Sequence, residues 1–250
     1  MSISILMYHQ VGHFPPMKTH RAVYCDLGRF RVQMRALRWL GVKVLSMSQA
    51  VAALSGQAPM PKRAVVLSFD DGCENFYEHA LPVLQAQGYP AIVYAIAGLA
   101  GGPASWLAAD GHPTPPLMSL ARLRELPGLG VEVGSHAWSH VRLAQHPPEV
   151  QLRELQDSRQ RLQDALGQDV PHVCYPYGSH NLQTLLAAEQ AGYTSGVTCQ
   201  RGAATPAFDL LALPRKAISY GDDVAGFLWK LYAKDAPKGE ALRRVPSAAG

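Results

Sequence analysis

The feature that most constrains this chain is an alternation of periods. Short apolar runs rich in Val, Ile and Tyr recur between amphipathic stretches of helical spacing, the sequence form of repeated βα units around a parallel sheet. Strands are expected at residues 4–8, 64–69, 91–97, 131–134, 172–175, 195–198 and 216–219. Between them, residues 27–40 place Phe30, Met34, Leu37 and Leu40 on one face, and residues 148–166 place Leu152, Leu155, Leu162 and Leu166 on another, ending at Gly167. The charged residues of the second helix read as a solvated face. Residues 224–231 repeat the pattern with Val224, Phe227, Leu228 and Leu231. Pro and Gly punctuate the whole chain without gathering into a linker, which points to one α/β domain over residues 1–235 and a loose tail over 236–250.

Charge bounds what such a chain can bind. Its 250 residues are 48% hydrophobic, enough for a sizeable core, and 17% are charged, with 23 Lys and Arg against 19 Asp and Glu. A formal charge of +4 is too small to signal a polyanion, so nucleic acid is excluded as a first partner. The cysteines Cys25, Cys73, Cys174 and Cys199 form no C-x-x-C pair, which argues against a zinc knuckle or a dense disulfide framework and fits a reducing compartment. No basic residue precedes Lys18, the apolar start is interrupted, and the greasy segment 91–100 is about half of the roughly 20 residues a bilayer span needs. The expectation is a cytoplasmic protein with no stable membrane insertion.

Ionisable residues fall at the ends of the expected strands. Val-Val-Leu-Ser-Phe runs into Asp70-Asp71-Gly72, Val-Glu-Val-Gly-Ser into His136 with His140 four residues on, and Ser-Ile-Leu-Met-Tyr into His9. In parallel α/β architectures, polar side chains at C-terminal strand ends converge on one face. Neighbours at a strand end point opposite ways, so Asp70 and Asp71 can do two jobs, one holding a cation and the other facing a reacting group. The tripeptide also reads as a helix N-cap, with Glu74 completing a capping box. His136 and His140 can chelate one ion on a helical turn or around a strand-to-helix corner. One carboxylate and two imidazoles leave coordination positions open, which suits a catalytic ion and hydrolysis; the same ligands also serve iron in oxygen chemistry. His13, His20, His79, His112, His146, His172 and His180 lack such spacing, read as surface or loop residues, and are given no role.

Three blocks, Leu67-Ser68-Phe69-Asp70-Asp71-Gly72, Ser135-His136-Ala137-Trp138-Ser139-His140 and Cys174-Tyr175-Pro176-Tyr177-Gly178, carry a resemblance. In order and spacing they resemble the motifs of the polysaccharide deacetylases, the NodB-homology or carbohydrate esterase family 4 group. With His9, the resemblance extends from the first strand to about Ser219. It implies a distorted (β/α) barrel of about seven parallel strands with the active site at their C-terminal ends. It also implies one divalent ion, zinc first with nickel, cobalt or iron as alternatives, held by Asp71, His136 and His140. Asp70 would be the general base, and Tyr177 would offer its backbone N–H to the oxyanion. The implied substrate is a carbohydrate bearing N-acetyl groups. Related barrels cleave formamides, cyclic imides or acetyl esters, and a carbohydrate-binding protein without turnover is a further reading.

Departures from the pattern shift two roles. Many members end in a Leu-x-His motif that supplies the general acid, but none follows Tyr177, where the late segment reads Leu213-Pro214-Arg215-Lys216-Ala217-Ile218-Ser219. A circularly permuted subgroup, resembling the exopolysaccharide poly-N-acetylglucosamine deacetylases, carries a Tyr-His pair on its first strand. Met7-Tyr8-His9-Gln10-Val11 looks like that element, which makes His9 the expected general acid. The arginine that commonly precedes the third motif is missing, with Val173 and Cys174 in its place, and Arg215 is expected to compensate by pairing with Asp70. Cys73 reads as a small buried thiol. Trp106, Trp138 and Tyr177 offer an aromatic wall for sugar rings, and Trp138, between the two histidines, is the tryptophan expected at the rim.

Overall fold

The computed structural model describes residues 1–239 and 241–244. Its strands are β1 (Ile3–Tyr8), β2 (Gln10–Gly12), β3 (Tyr24–Asp26), β4 (Lys43–Leu45), β5 (Ala64–Phe69), β6 (Ala91–Ala95), β7 (Val131–Ser135), β8 (His172–Cys174), β9 (Ser195–Arg201) and β10 (Leu213–Ala217). The α-helices are α1 (Leu27–Trp39), α2 (Met47–Leu54), α3 (Leu81–Gln87), α4 (Leu120–Glu125), α5 (Pro148–Leu166), α6 (Leu182–Gln190) and α7 (Val224–Ala233). Seven strands close a parallel barrel in the order β1, β5, β6, β7, β8, β9, β10 and back to β1. β1 closes it, pairing with β5 along its whole length from Ile3 with Ala64 to Tyr8 with Phe69. The other edge of β5 is shared: β4 takes Ala64 to Val66 and β6 takes Ser68 and Phe69. That split edge is where the barrel departs from a regular one.

Strands buried on both faces read as continuous apolar runs, and β1 and β5 are buried at every position. Their alternate residues serve two cores. Leu6, Tyr8, Val65, Leu67 and Phe69 face outward and pack under the helices, where α1 contributes Phe30, Met34 and Leu37. Ile3, Ile5, Ala64 and Val66 face inward with Ile92, Tyr94, Val197 and Leu213, and α2 adds Met47, Ala50 and Leu54 to this core. Each fully buried Leu or Ile contributes about 1.5–3 kcal/mol, so the N-terminal half of the barrel is a packed plug and not a channel. The C-terminal ends are left for polar side chains.

Local signals explain the helices. Asp26 caps α1 by accepting the Arg29 N–H at 3.1 Å, and α5 opens on Pro148 and stops at Gly167 with φ +69°. Helix α7 buries Phe227 and Leu231, but Val224, expected on that face, is exposed. The last barrel strand lies at Leu213–Ala217, and not at 216–219. A proline and a charged residue read as non-strand, yet a register irregularity between Leu213 and Arg215 accommodates Pro214 and the arginine is buried. In the described part of the C-terminal segment, Arg244 is held by Asp209 through Nε at 2.8 Å and Nη2 at 2.7 Å. Residues 240 and 245–250 of the expected tail lie outside the described residues. No helix among the described residues is long and apolar enough to cross a membrane.

Candidate active site

Period-two alternation aims the first acids and imidazoles. Continuing the inward series Ile3, Ile5, Met7 reaches His9, and continuing Ala64, Val66, Ser68 reaches Asp70, so both enter the barrel at its C-terminal end. Asp71 would then point outward, but its φ of +73° reverses the chain and brings its carboxylate in as well. This rules out the helix-cap reading; Glu74 instead pairs with Arg122 at 2.9 Å. A left-handed backbone disfavours a residue with a Cβ by about 1–2 kcal/mol, and of the five non-glycine residues at positive φ among the described residues, four (Asp71, Ala137, His140 and Tyr177) lie in the three motifs. Such strain collects at functional sites.

Asp71, His136 and His140 come together as expected. Asp71 Oδ1 lies 3.4 Å from Nε2 of each histidine, and all three residues are buried. The pair is not on a helical turn: His136 follows β7 directly, and the chain then coils through Ala137 at φ +60° to His140 at φ +61°. Glu154 on α5, expected on a solvated face, accepts the Trp138 and Ser139 N–H groups at 3.0 and 2.9 Å and the Ser139 hydroxyl at 2.5 Å. The three side chains offer a donor set that can hold a cation. His136 Nδ1 lies 2.8 Å from the Cys174 carbonyl, which only accepts, so that nitrogen donates and Nε2 is the atom turned toward Asp71. Burial drives the His140 pKa down to about 3 against the opposing pull of Asp71, which favours its neutral ring. A carboxylate oxygen facing two imidazole nitrogens is a donor set that can hold a divalent cation.

Asp70 has a different environment. Arg215 grips it with a two-pronged salt bridge, Nη1 to Oδ1 and Nη2 to Oδ2, each 2.7 Å, with both side chains buried. Burial alone would raise the Asp70 pKa, but the Arg215 guanidinium prevails and holds the carboxyl well below the usual carboxylate range. His9 Nε2 lies 3.8 Å from Asp70 Oδ2. The Cys174 thiol, in the region where the missing arginine was expected, lies 3.5 Å from Asp70 Oδ2 and 3.1 Å from Arg215 Nη2. Cys73 is buried, and among the described residues the four cysteines are free.

His9, Asp70, Asp71, His136 and His140 line a cleft of about 340 Å³ with His20, Val23, Trp106, Leu107, Arg142, Tyr177 and Cys199. The tryptophan expectation is corrected: Trp106 stands at the rim, its ring 4.3 Å from that of His140, whereas Trp138 does not line the cleft and its indole packs over Gly98. The reason is the left-handed turn at Ala137, which swings residue 138 away from the residues on either side. Tyr177 lies opposite, 4.6 Å from the His140 ring and under the Arg142 guanidinium at 4.1 Å. His20, Arg142 and Cys199 carry no signal in the sequence, since loop packing and strand register bring them in. His172, read as a surface or loop residue, is buried in β8 between Ser48 and Ser195 at 3.0 and 2.8 Å.

Known proteins resemble this chain in sequence and in fold. The family profile described as polysaccharide deacetylase matches residues 57–196. The Bacillus subtilis (strain 168) protein YxkH, whose name is that of a polysaccharide deacetylase, is 28% identical over 225 residues, 90% of this chain and 74% of that protein. The poly-β-1,6-N-acetyl-D-glucosamine N-deacetylase of Escherichia coli (strain K12) is 26% identical over 79% of this chain, a match spanning 34% of that protein. Among solved structures, the Streptococcus pyogenes deacetylase PplD in complex with acetate superposes with a TM-score of 0.80 at 30% identity, covering 92% of this chain and 98% of that one. IcaB from Ammonifex degensii shares the fold, with a TM-score of 0.77 at 22% identity over 92% of this chain and 97% of that one. With its motifs gathered at one end of a seven-stranded barrel and the profile matching more than half of its length, the chain belongs to the polysaccharide deacetylase family, hydrolases of the amide carbon–nitrogen bond.

Proposed function

We propose that this protein removes N-acetyl groups from an N-acetylhexosamine glycan or glycan precursor, releasing acetate, and that residues 1–235 form the deacetylase domain. The observation that carries the reading is the separation of two adjacent carboxylates: Asp70 is fixed by an arginine fork beside His9, while Asp71 meets two imidazole nitrogens. Asp71, His136 and His140 would hold a divalent ion, zinc by preference for two nitrogens and one oxygen. Such an ion, when bound, supplies Lewis acidity to the acetyl carbonyl and to the attacking water.

The remaining steps belong to the chain. Asp70, ionised through its pairing with Arg215, accepts a proton from the water as the new C–O bond forms. The Tyr177 backbone N–H meets the oxyanion; one such donor is worth about 3 kcal/mol in comparable sites. His9 then protonates the nitrogen as the C–N bond breaks, leaving acetate and a free amino sugar. Because Asp70 Oδ2 and His9 Nε2 are 3.8 Å apart, base and acid can flank one small amide. The test is acetate release from N-acetylglucosamine oligomers by chelator-stripped protein reloaded with zinc, nickel, cobalt or iron. Metal-dependent acetate release is expected, falling about 10²–10⁴-fold in Asp70→Asn and in His9→Ala. Silence of the reloaded protein on these oligomers, or preferred turnover of esters or imides, would overturn the assignment.

A further inference from the structure

Helix α7 is apolar all round. Its inward residues Phe227 and Leu231 are buried, yet Val224, Trp229 and Tyr232 on its outer side are exposed, Trp229 at 62%. A surface helix ordinarily keeps its outer face polar, and one that is apolar on every side is one that something covers. The neighbouring helix α1 repeats the feature: Val32 and Trp39, two turns apart on one stripe, are exposed, Trp39 at 85%. Gln33 of α1 donates to the Asp222 carbonyl at 3.0 Å, just before α7 begins. Val42, just beyond α1, shares a cavity of about 160 Å³ with Leu231 and Tyr232 near the end of α7. The two helices therefore run side by side in the same direction, and both exposed stripes face away from the barrel. Five of the eleven large apolar side chains exposed among the described residues belong to them.

Charge identifies the occupant. From residue 27 to residue 69 the chain carries seven Lys or Arg residues and no Asp or Glu, in a protein whose formal charge is only +4. Arg35 stands between Val32 and Trp39 on the exposed side of α1, Lys62 and Arg63 line the cavity that holds Tyr232, and the Lys234 ammonium lies 5.8 Å from the centre of the Trp229 ring. The acids flanking α7 are engaged: Asp222 with Lys230 at 2.5 Å, Asp235 with Lys216 at 2.5 Å, and Asp223 in capping the helix by accepting the Gly226 N–H at 2.8 Å. A second copy of this chain would set cations against cations, because a two-fold contact opposes a patch to itself. A neutral glycan would stack on the indoles and leave the cations without a counterpart. An anionic lipid surface satisfies both, its headgroups meeting Lys and Arg while Trp and Tyr sit at the boundary of headgroups and acyl chains. We propose that the flank formed by α1 and α7 docks this protein on an anionic membrane surface. The contact is peripheral, since α7 has ten residues and no described helix is long and apolar enough to cross. None of these residues lines the cleft, so docking and chemistry use different surfaces.

The experiment measures cosedimentation of the full chain with vesicles of pure phosphatidylcholine and of an equal mixture of phosphatidylcholine and phosphatidylglycerol. Binding is expected to the mixed vesicles and to be at least about tenfold weaker to the neutral ones. Lys62→Gln/Arg63→Gln should weaken binding to the mixed vesicles roughly 25-fold at low salt, about fivefold for each cation lost. Added salt should shrink that difference, because it screens the headgroups. Trp39→Ser/Trp229→Ser should lose at least about tenfold in affinity at low and high salt alike. Circular-dichroism melts matching wild type show that both variants, altered only at the surface, are folded. Absence of wild-type binding to the mixed vesicles, equal binding to both kinds, or binding that either double variant retains in full would overturn the proposal. So would a dimer of the free protein that Trp39→Ser/Trp229→Ser dissolves in sedimentation velocity, which assigns the face to a second copy. Quenching of tryptophan fluorescence by N-acetylglucosamine oligomers that the same variant abolishes would assign it to a glycan and overturn the proposal as well.

Discussion

At Asp70 and Asp71 two identical side chains acquire different properties from their surroundings, a guanidinium fork at 2.7 Å in one case and two imidazole nitrogens at 3.4 Å in the other. Removing one negative charge from each should therefore produce different defects. Asp70→Asn is expected to keep a full complement of zinc and lose activity, whereas Asp71→Asn should lose zinc affinity and recover part of its activity as zinc is raised. Metal content by emission spectroscopy, measured beside kcat, separates the two; equal metal loss in both variants would refute the division. The residues legible in sequence lie at or shortly after strand ends; alternation gives the direction of His9 and Asp70, whereas left-handed backbone turns in Asp71 and, beyond β7, His140. Arg215 was reachable only as the replacement for a missing arginine, because the polar run around Pro214 hid the strand that aims it. The position of Trp138 between the two histidines pointed to the wrong indole, since the left-handed turn at Ala137 leaves Trp106 to face the cleft.

Between strand and helix, the segment from Ala137 to His140 carries a proposed metal ligand without regular secondary structure to support it. Two positive φ angles strain it, and Glu154 offsets that strain by accepting three hydrogen bonds from Trp138 and Ser139. Gly98 permits the close approach, since a Cβ there would lie 2.7 Å from the Trp138 indole and carbonyl. Glu154→Ala is expected to weaken zinc affinity about 10–100-fold, the range found when the groups that orient metal ligands are lost. Competition against a chromogenic chelator measures it, with the circular-dichroism melt of the metal-free protein as control for folding. Unchanged affinity would mean that His140 is positioned by packing against Trp106 and Tyr177 alone. No sequence pattern marks Glu154, because an acid on the polar stripe of an amphipathic helix has the same appearance whether it meets water or a loop.

Closure of the barrel is a property of the whole molecule that periodicity does not encode. Strand identities could be read from apolar runs, but the pairing of β1 with β5 joins residues some sixty positions apart in sequence, and the strand count came from family resemblance. Arg215 makes a second long-range connection, spanning from β10 to Asp70 and Ser68 at the end of β5 and to the Thr198 carbonyl on β9. Its effect on stability has a sign that pH reveals. A carboxyl whose pKa is lower in the folded than in the unfolded state stabilises the fold above its unfolded value near 4 and loses that contribution as pH falls through the folded value. Asp70 is such a group in the wild type, because the guanidinium outweighs its burial. In Arg215→Met the burial remains and the countercharge is gone, so the folded-state pKa rises above the unfolded one and stability should fall as pH increases from about 4 toward that new value. Urea denaturation of the metal-free proteins at about pH 5 and about pH 8 is expected to show Arg215→Met destabilised by roughly 3–5 kcal/mol at the higher pH and by less at the lower. Asp70→Asn/Arg215→Met should recover much of the loss, since no unpaired charge is then buried. A deficit in Arg215→Met that is the same at both pH values would show that the arginine stabilises the barrel through packing, and that the ion pair serves the chemistry alone.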